Sequence, residues 1–181
     1  GVVPTPVVAF ESARRHCLGG MISASHNPYR DNGIKLFAPG GRKLGDDVEQ
    51  RIEADVLALP APRGDPAQLV DVEDSPAYRQ HVVDVLEGRR LDGLRIVVDA
   101  ANGAASRTAG PVLAATGADV VVIHAEPDGR NINLACGSTA PEKLARLVVE
   151  GQHALGVAFD GDGDRAIFVD GTGQIVDGDA V

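Results

Sequence analysis

Leu155-Gly156-Val157-Ala158-Phe159 runs straight into Asp160-Gly161-Asp162-Gly163-Asp164-Arg165, so an apolar segment ends in three carboxylates at alternate positions. A short apolar run bounded by Gly and Asp predicts a buried strand. Three Asp side chains this close repel one another and raise one another's pKa, an arrangement that makes sense where a cation sits among them. Oxygen-only donors favour a hard divalent ion, Mg²⁺ above all. The intervening glycines let the backbone wrap closely around such an ion. Arg165, beside the cluster, suits a phosphate oxygen next to the metal. The stretch therefore predicts metal-assisted phosphoryl chemistry.

Three other readings use the same residues. An EF-hand calcium loop also starts D-x-D-x-D, but it needs Gly at its sixth position and Glu at its twelfth. Counted from Asp160, those positions hold Arg165 and Gly171, which argues against it. An apolar strand followed by D-x-D also resembles the haloacid-dehalogenase phosphatases, in which Asp160 would be the nucleophile. That chemistry needs a Ser/Thr, a Lys and further acidic residues downstream, and the sequence runs only to Val181. The plain alternative is a Gly/Asp-rich turn between two strands, which three Asp followed by Arg makes the weaker reading.

Gly19-Gly20-Met21-Ile22-Ser23-Ala24-Ser25-His26-Asn27-Pro28 is the second informative stretch. A short apolar strand leads into a Ser-rich turn, and Pro28 keeps Asn27 out of helical backbone. Ser23 and Ser25 are two residues apart, so in extended backbone they share a face. Ser25, at the strand's exit, is the one expected to reach a substrate. Adjacent Ser25 and His26 point apart in an extended chain and make no hydrolase dyad, and there is no G-x-S-x-G elbow. Phosphorylation is another way for such a serine to act. By itself the stretch fits a polar turn equally well; a carboxylate loop in the same chain favours an active site.

Ser23–Pro28, followed by Asp31-Asn32-Gly33-Ile34-Lys35-Leu36-Phe37, resembles the phosphoserine loop of the α-D-phosphohexomutases, and Phe159–Arg165 resembles their metal loop. Both occur in the family's order. Glu126-Pro127-Asp128-Gly129-Arg130-Asn131-Ile132-Asn133, running to Cys136-Gly137-Ser138-Thr139, resembles the branch that acts on glucosamine phosphates. The likeness extends from Gly1-Val2-Val3-Pro4-Thr5-Pro6 to the end. It implies an α/β fold of mixed, mainly parallel sheets flanked by helices, in two consecutive domains. Residues 1–90 would be the C-terminal part of the first, with the phosphoserine loop. Residues 91–181 would be the second, with the metal loop, its last residues leading towards a third domain. The family's N-terminal Gly-Ile-Arg stretch, its sugar-recognition loop and its phosphate-clamping fourth domain have no match here. The first domain is thus expected to be incomplete and the chain to be a piece of a longer enzyme.

The resemblance also implies a mechanism. Phosphorylated Ser25 would give its phosphoryl group to a hexosamine phosphate, forming a bisphosphorylated sugar that returns its other phosphoryl group to Ser25. Glucosamine 6-phosphate and glucosamine 1-phosphate would thereby interconvert. Asp160, Asp162 and Asp164 would hold Mg²⁺, with a phosphate oxygen on Ser25 as a further ligand. Arg165 would stabilise charge on the transferring group, Lys35 would handle the hydroxyl proton, and His26 would orient the phosphoserine. The plain alternatives are a solvent-facing Lys35 and a His26 that merely bonds within its turn. A related phosphomannomutase or phosphoglucomutase, an aspartate-nucleophile phosphatase and a non-catalytic metal- or phosphate-binding module are the other functions considered. Without the remaining domains the piece is expected to be inactive, and apolar area at its cut interfaces to make it sticky or dimeric.

Composition bounds these readings. With 181 residues and 44% hydrophobic content the chain can bury a core, and at 3% aromatic that core must be aliphatic. A net charge of −9 argues against nucleic acid or an anionic membrane as partner. No apolar run reaches the ~18 residues that span a bilayer, and no signal-peptide pattern opens the sequence. Cys17 and Cys136 are far apart, which suggests reduced thiols and a cytoplasmic location. His16, His81, His124 and His153 show no partner pattern, and Asn102-Gly103 reads as a tight turn.

Apolar periodicity predicts strands at Met21–Ala24 and Ile34–Ala38, then a helix over Asp46–Leu59 capped by Asp46 or Asp47, with Val48, Ile52, Val56 and Leu59 on one face. Pro60–Pro66 reads as a loop, and Ser75-Pro76 opens a helix to about Glu87. Leu94–Asp99 predicts a strand and Arg107–Thr116 a helix stopped by Gly117. Asp119–Ala125 predicts a strand buried on both faces. A helix starts at Pro141, capped by Ser138 or Thr139, and ends at Gly151. Strands are expected at Leu155–Phe159, Ala166–Val169 and Gln174–Val176. This alternation predicts a mainly parallel sheet, with the Asp160–Arg165 loop at a strand's carboxyl end, where open α/β sheets place ligands.

Overall fold

The structure, a computed structural model, describes residues 1–60, 75–176 and 178. Apart from Pro60, the expected Pro60–Pro66 loop lies outside the described residues, as do most of the last residues towards Val181. The helix α1 (Thr5–Arg15) has no counterpart among the elements expected from the sequence. Proline in its first turn suits a helix start, because the missing N–H has no partner there anyway. The strands β1 (Gly19–Ser23) and β2 (Gly33–Phe37) form an antiparallel pair in which Met21 faces Lys35 and Ser23 faces Gly33. Ser12 of α1 is buried under this ribbon, its hydroxyl 2.6 Å from the Cys17 carbonyl and 2.8 Å from that of Ala38.

The helix α2 (Asp46–Ala58) has no fully buried residue, and Val56, Leu57 and Leu59 are exposed. Its N-cap is extended Gly45, not Asp46 or Asp47. Those carboxylates sit inside the first turn, where they complement the helix dipole without capping. α3 (Pro76–Asp84) is capped by Ser75, whose Oγ accepts from the Tyr78 N–H at 3.1 Å. It stops short of Glu87 because the next bonds, Leu86 to Val83 and Glu87 to Asp84, tighten the chain into turns. Phe10 of α1 meets Tyr78 edge-on and stacks on His81, with ring centroids 5.6 and 5.0 Å away, which ties α3 to α1.

The second half forms a five-stranded sheet in the order β4-β3-β5-β6-β7. β3 (Arg95–Asp99) is parallel to β4 (Asp119–Ile123) and to β5 (Leu155–Phe159); β6 (Ala166–Asp170) and β7 (Ile175–Val176) continue antiparallel. Strand alternation sorts the core into two faces. Ile96, Val98 and Val157 pack with Ala105 and Ala109 on one side, and Val97, Ala158 and Val169 with Leu144 and Val148 on the other. The expectation that Asp119–Ala125 is buried on both faces fails: β4 is an edge strand and Val121 is 45% exposed. Its β-branched run reflects strand propensity alone. The doubly buried strand is β3, in which Ile96–Asp99 are all buried.

The expected helix at Arg107–Thr116 divides into a 3₁₀ turn, Ala104–Arg107, and α4 (Ala109–Ala115). α5 (Glu142–Glu150) has Pro141 as its N-cap with no side-chain cap, because Ser138 and Thr139 are taken up in a 3₁₀ turn, Gly137–Thr139. No described helix is long and apolar enough to cross a membrane.

Candidate active site

The loop after β5 closes on its first carboxylate. Asp160 Oδ1 accepts the backbone N–H groups of Asp164 and Arg165, each at 3.2 Å, and the Gly163 N–H bonds the Asp160 carbonyl at 3.1 Å. Asp160 and Asp162 are fully buried, Asp164 is partly exposed, and oxygens of the three lie within 4.8 Å of one another.

The serine loop meets this cluster through two glycines that leave no room for a Cβ. A Cβ on Gly161 would run into the Ser25 carbonyl and Ile132, and one on Gly103 into the Gly161 backbone. The Gly161 N–H bonds the Ser25 carbonyl at 3.1 Å and the Ala104 N–H bonds the Gly161 carbonyl at 2.8 Å. Asn102-Gly103 is thus more than a turn, because it seats the carboxylate loop.

Ser25 departs from the extended backbone expected of it. Its φ of 52° puts it in the left-handed region, just past β1, where its N–H bonds Ser23 Oγ at 2.9 Å. Ser23 therefore supports the turn instead of sharing a face with Ser25. The Ser25 Oγ lies 3.1 Å from Asp162 Oδ1 and 3.3 Å from Asp160 Oδ2, and it accepts from Arg165 at 2.9 Å. Arg165 also contacts Asp160 Oδ2 through Nε at 3.3 Å and donates to His26 Nδ1. Lys35 bonds Asp162 Oδ2 at 2.6 Å and Asp164 Oδ2 at 3.0 Å. Ser25, His26, Lys35, Arg165 and the three Asp therefore converge.

Two residues at this site were not among the expected ones. Thr5 donates its hydroxyl to Asp162 Oδ2 at 2.9 Å, and its N–H bonds the Asp162 carbonyl at 2.8 Å. Asn133 donates from Nδ2 to the Ser25 carbonyl at 2.7 Å and to the Asn27 carbonyl at 3.0 Å. Thr5 lies in the Pro4-Thr5-Pro6 stretch and Asn133 in the Glu126–Thr139 stretch, so both were within view. Nothing in their spacing signals the partner. His124 lies in a second polar group, with Nδ1 2.9 Å from Asp99 Oδ2 and Nε2 3.0 Å from Lys143 Nζ.

Burial, its bond with Asp162 and the charge of Asp162 all raise the Asp160 pKa. Burial opposes ionisation of Asp162 as well, but hydrogen bonds from Lys35, Asp160 and Thr5 outweigh it and lower its pKa. Lys35 is raised, its burial outweighed by Asp162 and Asp164. An all-oxygen donor set with one member held reluctantly charged fits a hard divalent cation.

The sequence profile of "Phosphoglucomutase/phosphomannomutase, alpha/beta/alpha domain I" matches residues 1–62, and that of domain II of the same family matches residues 76–173. The chain belongs to the phosphoglucomutase/phosphomannomutase family. Within that family it is 52% identical, over its whole length, to phosphoglucosamine mutase of Rhodococcus opacus, and it spans 42% of that relative's length. A phosphoglucomutase/phosphomannomutase family protein from Burkholderia thailandensis superposes with a TM-score of 0.71 at 30% identity, over 96% of this chain and 40% of that one. N-acetylphosphoglucosamine mutase of Aspergillus fumigatus, solved with GlcNAc-6P and magnesium, shares the fold at a TM-score of 0.52 and 15% identity, over 95% of this chain and 48% of that one.

Proposed function

We propose that the protein, at its full length, is a phosphosugar mutase that interconverts glucosamine 6-phosphate and glucosamine 1-phosphate through a phosphoserine at Ser25. The observation that carries this is the Ser25 hydroxyl, which sits between two buried carboxylates and an arginine. A serine so placed is a phosphoryl acceptor and donor whose charge changes are met by fixed groups.

Asp160, Asp162 and Asp164 would hold the divalent ion, Mg²⁺ by the hardness of their oxygens, with a phosphate oxygen on Ser25 as a further donor. When bound, the ion supplies positive charge against the phosphoryl oxygens. Arg165 reaches the Ser25 oxygen and stabilises charge on the transferring group. Lys35, an ammonium on β2 beside the cluster, handles the hydroxyl protons: it donates its proton to the departing oxygen and is reprotonated from the attacking hydroxyl. His26 accepts from Arg165 and so orients its guanidinium. Thr5 and Asn133 are positioning residues: the first fixes Asp162, the second the serine turn. Residues 1–90 and 91–181 act as two consecutive domains, each carrying half of this site.

The partners are a phosphorylated hexosamine and the rest of the enzyme. Exposed Leu18 and Ile22 await either that remainder or a second copy. With both cysteines free among the described residues, the protein works in the cytoplasm. The relative at 52% identity favours the glucosamine reading over the phosphomannomutase or phosphoglucomutase one. The test is a coupled assay of the full-length protein with glucosamine 6-phosphate, Mg²⁺ and a bisphosphorylated sugar primer. Formation of the 1-phosphate, lost in Ser25→Ala, is expected. Release of inorganic phosphate without isomerisation points instead to a phosphatase and contradicts the reading.

A further inference from the structure

Asp99, His124 and Cys136 come from three separate segments: the end of β3, the residue just past β4, and the loop before the Gly137–Thr139 turn. Their ligand atoms all lie within 4.8 Å of one another. Asp99 and Cys136 have no exposed surface. Asp99 Oδ1 accepts the Ala101 N–H at 2.9 Å, which leaves Oδ2. Asp99 Oδ2 and His124 Nδ1 stand 2.9 Å apart, yet neither atom has a hydrogen-bond partner. They are close enough to bond but out of line. Two buried polar atoms that approach without bonding are arranged as neighbours on a third body are.

We infer that Asp99, His124 and Cys136 form a second metal site, for a borderline-soft transition ion of the Zn²⁺ class, which pins the Glu126–Gly137 loop to the end of β3. The donor set decides the ion. One carboxylate, one imidazole and one thiolate match zinc, whereas Mg²⁺ and Ca²⁺ take oxygen. Three protein ligands leave a fourth position of a tetrahedral ion to water. Binding replaces a proton: the Cys136 thiol, held up at about 11 by burial and the charge of Asp99, loses its proton to solvent as the S–metal bond forms. His124 binds through Nδ1 as neutral imidazole with its proton on Nε2. Lys143, 3.0 Å from Nε2 and exposed, then turns outward.

The pinned loop has a task at the other site. It carries Asn133, whose N–H bonds the Ala101 carbonyl at 2.9 Å while Nδ2 holds the Ser25 and Asn27 carbonyls. Asn133 and Ala135 both adopt left-handed backbone, at φ 57° and 51°. A metal tying Cys136 to Asp99 holds this strained segment in place and with it the serine turn. The inference does not depend on Ser25 being phosphorylated.

Titration of the full-length protein with Co²⁺, a coloured stand-in for zinc, tests it. One equivalent is expected to give the near-ultraviolet charge-transfer band of a cobalt–thiolate bond and the strong visible bands of a tetrahedral ion, both erased by Zn²⁺. The bands should persist in Cys17→Ser and in Asp162→Asn, which separates them from the exposed thiol and from the carboxylate loop. They should vanish in Cys136→Ser, and hydrogen exchange in the Glu126–Gly137 loop should slow on metal binding in the unaltered protein. Absence of a thiolate band at excess Co²⁺ overturns the inference whatever the variants do, and so does a band that survives Cys136→Ser.

Discussion

Asp160, Asp162 and Asp164 follow β5, a strand packed on both faces, whereas Lys35 sits on, and Ser25 just past a strand of, a two-stranded ribbon whose Ile22 and Ile34 are 75% and 68% exposed. The first support is a core of interdigitated Val, Ile, Leu and Ala. The second is a marginal unit, since a two-stranded pair has little independent stability in water. What makes one site of the two is a short list of contacts: the Gly103–Gly161–Ser25 interlock, the Asn133 and Thr5 hydrogen bonds, and the Lys35 ion pairs. The carboxylates are therefore placed by packing and the serine by polar contacts to them.

The largest effect separates the two serines. In the full-length protein, Ser25→Ala should lower turnover on the order of 10³-fold or more, because the proposed phosphoryl carrier is gone. Ser23→Ala removes one hydrogen bond to the Ser25 N–H, a loss of about 0.5–1.5 kcal/mol, and should cost turnover no more than about tenfold. Comparable losses in the two variants would mean that the turn as a whole matters, not the Ser25 oxygen. Steady-state kinetics of both proteins decide this.

Gly161→Ala attacks the joint itself. The new Cβ meets the Ser25 carbonyl and pushes the serine turn off the carboxylates. Displacement by an ångström or so should lower turnover on the order of 10²-fold, with a fall in melting temperature that reports the broken interlock. If melting temperature and turnover are both untouched, the two halves are joined in some other way.

Packing differences should appear in stability alone. Leu144→Ala, at a fully buried position, is expected to destabilise by about 2–5 kcal/mol. Leu57→Ala, at an 87% exposed position on α2, should stay within about 0.5 kcal/mol. Urea unfolding of the two variants measures both. A large loss at Leu57 would show that α2 is covered.

These contrasts bear on what could be read from residues alone. The strand Leu155–Phe159 and its carboxylate loop were legible to the residue, because a short apolar run that stops at Asp-Gly leaves few options. The role of β4 was not: four β-branched residues look the same on an edge as in the middle, and strand order is a tertiary fact. α1 went unrecognised although Pro6 in its first turn is a fair start signal. Its burial depends on Ser12 satisfying two carbonyls of the ribbon, which no local pattern reveals. Ser25, Lys35 and Arg165 could be picked by chemistry and motif. Thr5 and Asn133 could not, since they act through Asp162 and through backbone carbonyls far away in sequence. Left-handed Ser25 was hidden for a similar reason: nothing before it forbids extension, and its strain is held by Ser23, Gly161 and Asn133.

Smaller effects follow from charge. Asp160 has a raised pKa in the fold, so it opposes folding at neutral pH and that penalty disappears as pH falls through its raised value. Asp162 is lowered, so its contribution is present above its ordinary value of 3.8 and is lost as pH falls below it. Mg²⁺ should therefore raise the melting temperature most at neutral pH, and the gain should shrink as Asp160 protonates. A gain independent of pH would place the ion elsewhere. Glu11 on α1, lowered to about 2 chiefly by its bond with Arg14, adds stability that should be lost between its ordinary value of 4.5 and about 2. Glu11→Gln should flatten the acid limb of the melting curve in that window, and an unchanged limb would contradict the assignment.

The central claim is that the packed half holds the metal while the ribbon half carries the phosphoryl group. Intact-protein and peptide mass spectrometry after incubation of the full-length protein with bisphosphorylated sugar and Mg²⁺ tests it most directly. One phosphate is expected on Ser25, stable to hydroxylamine and absent from Ser25→Ala. A hydroxylamine-labile phosphate on Asp160, retained in Ser25→Ala, would contradict the account by moving the covalent chemistry to the packed half.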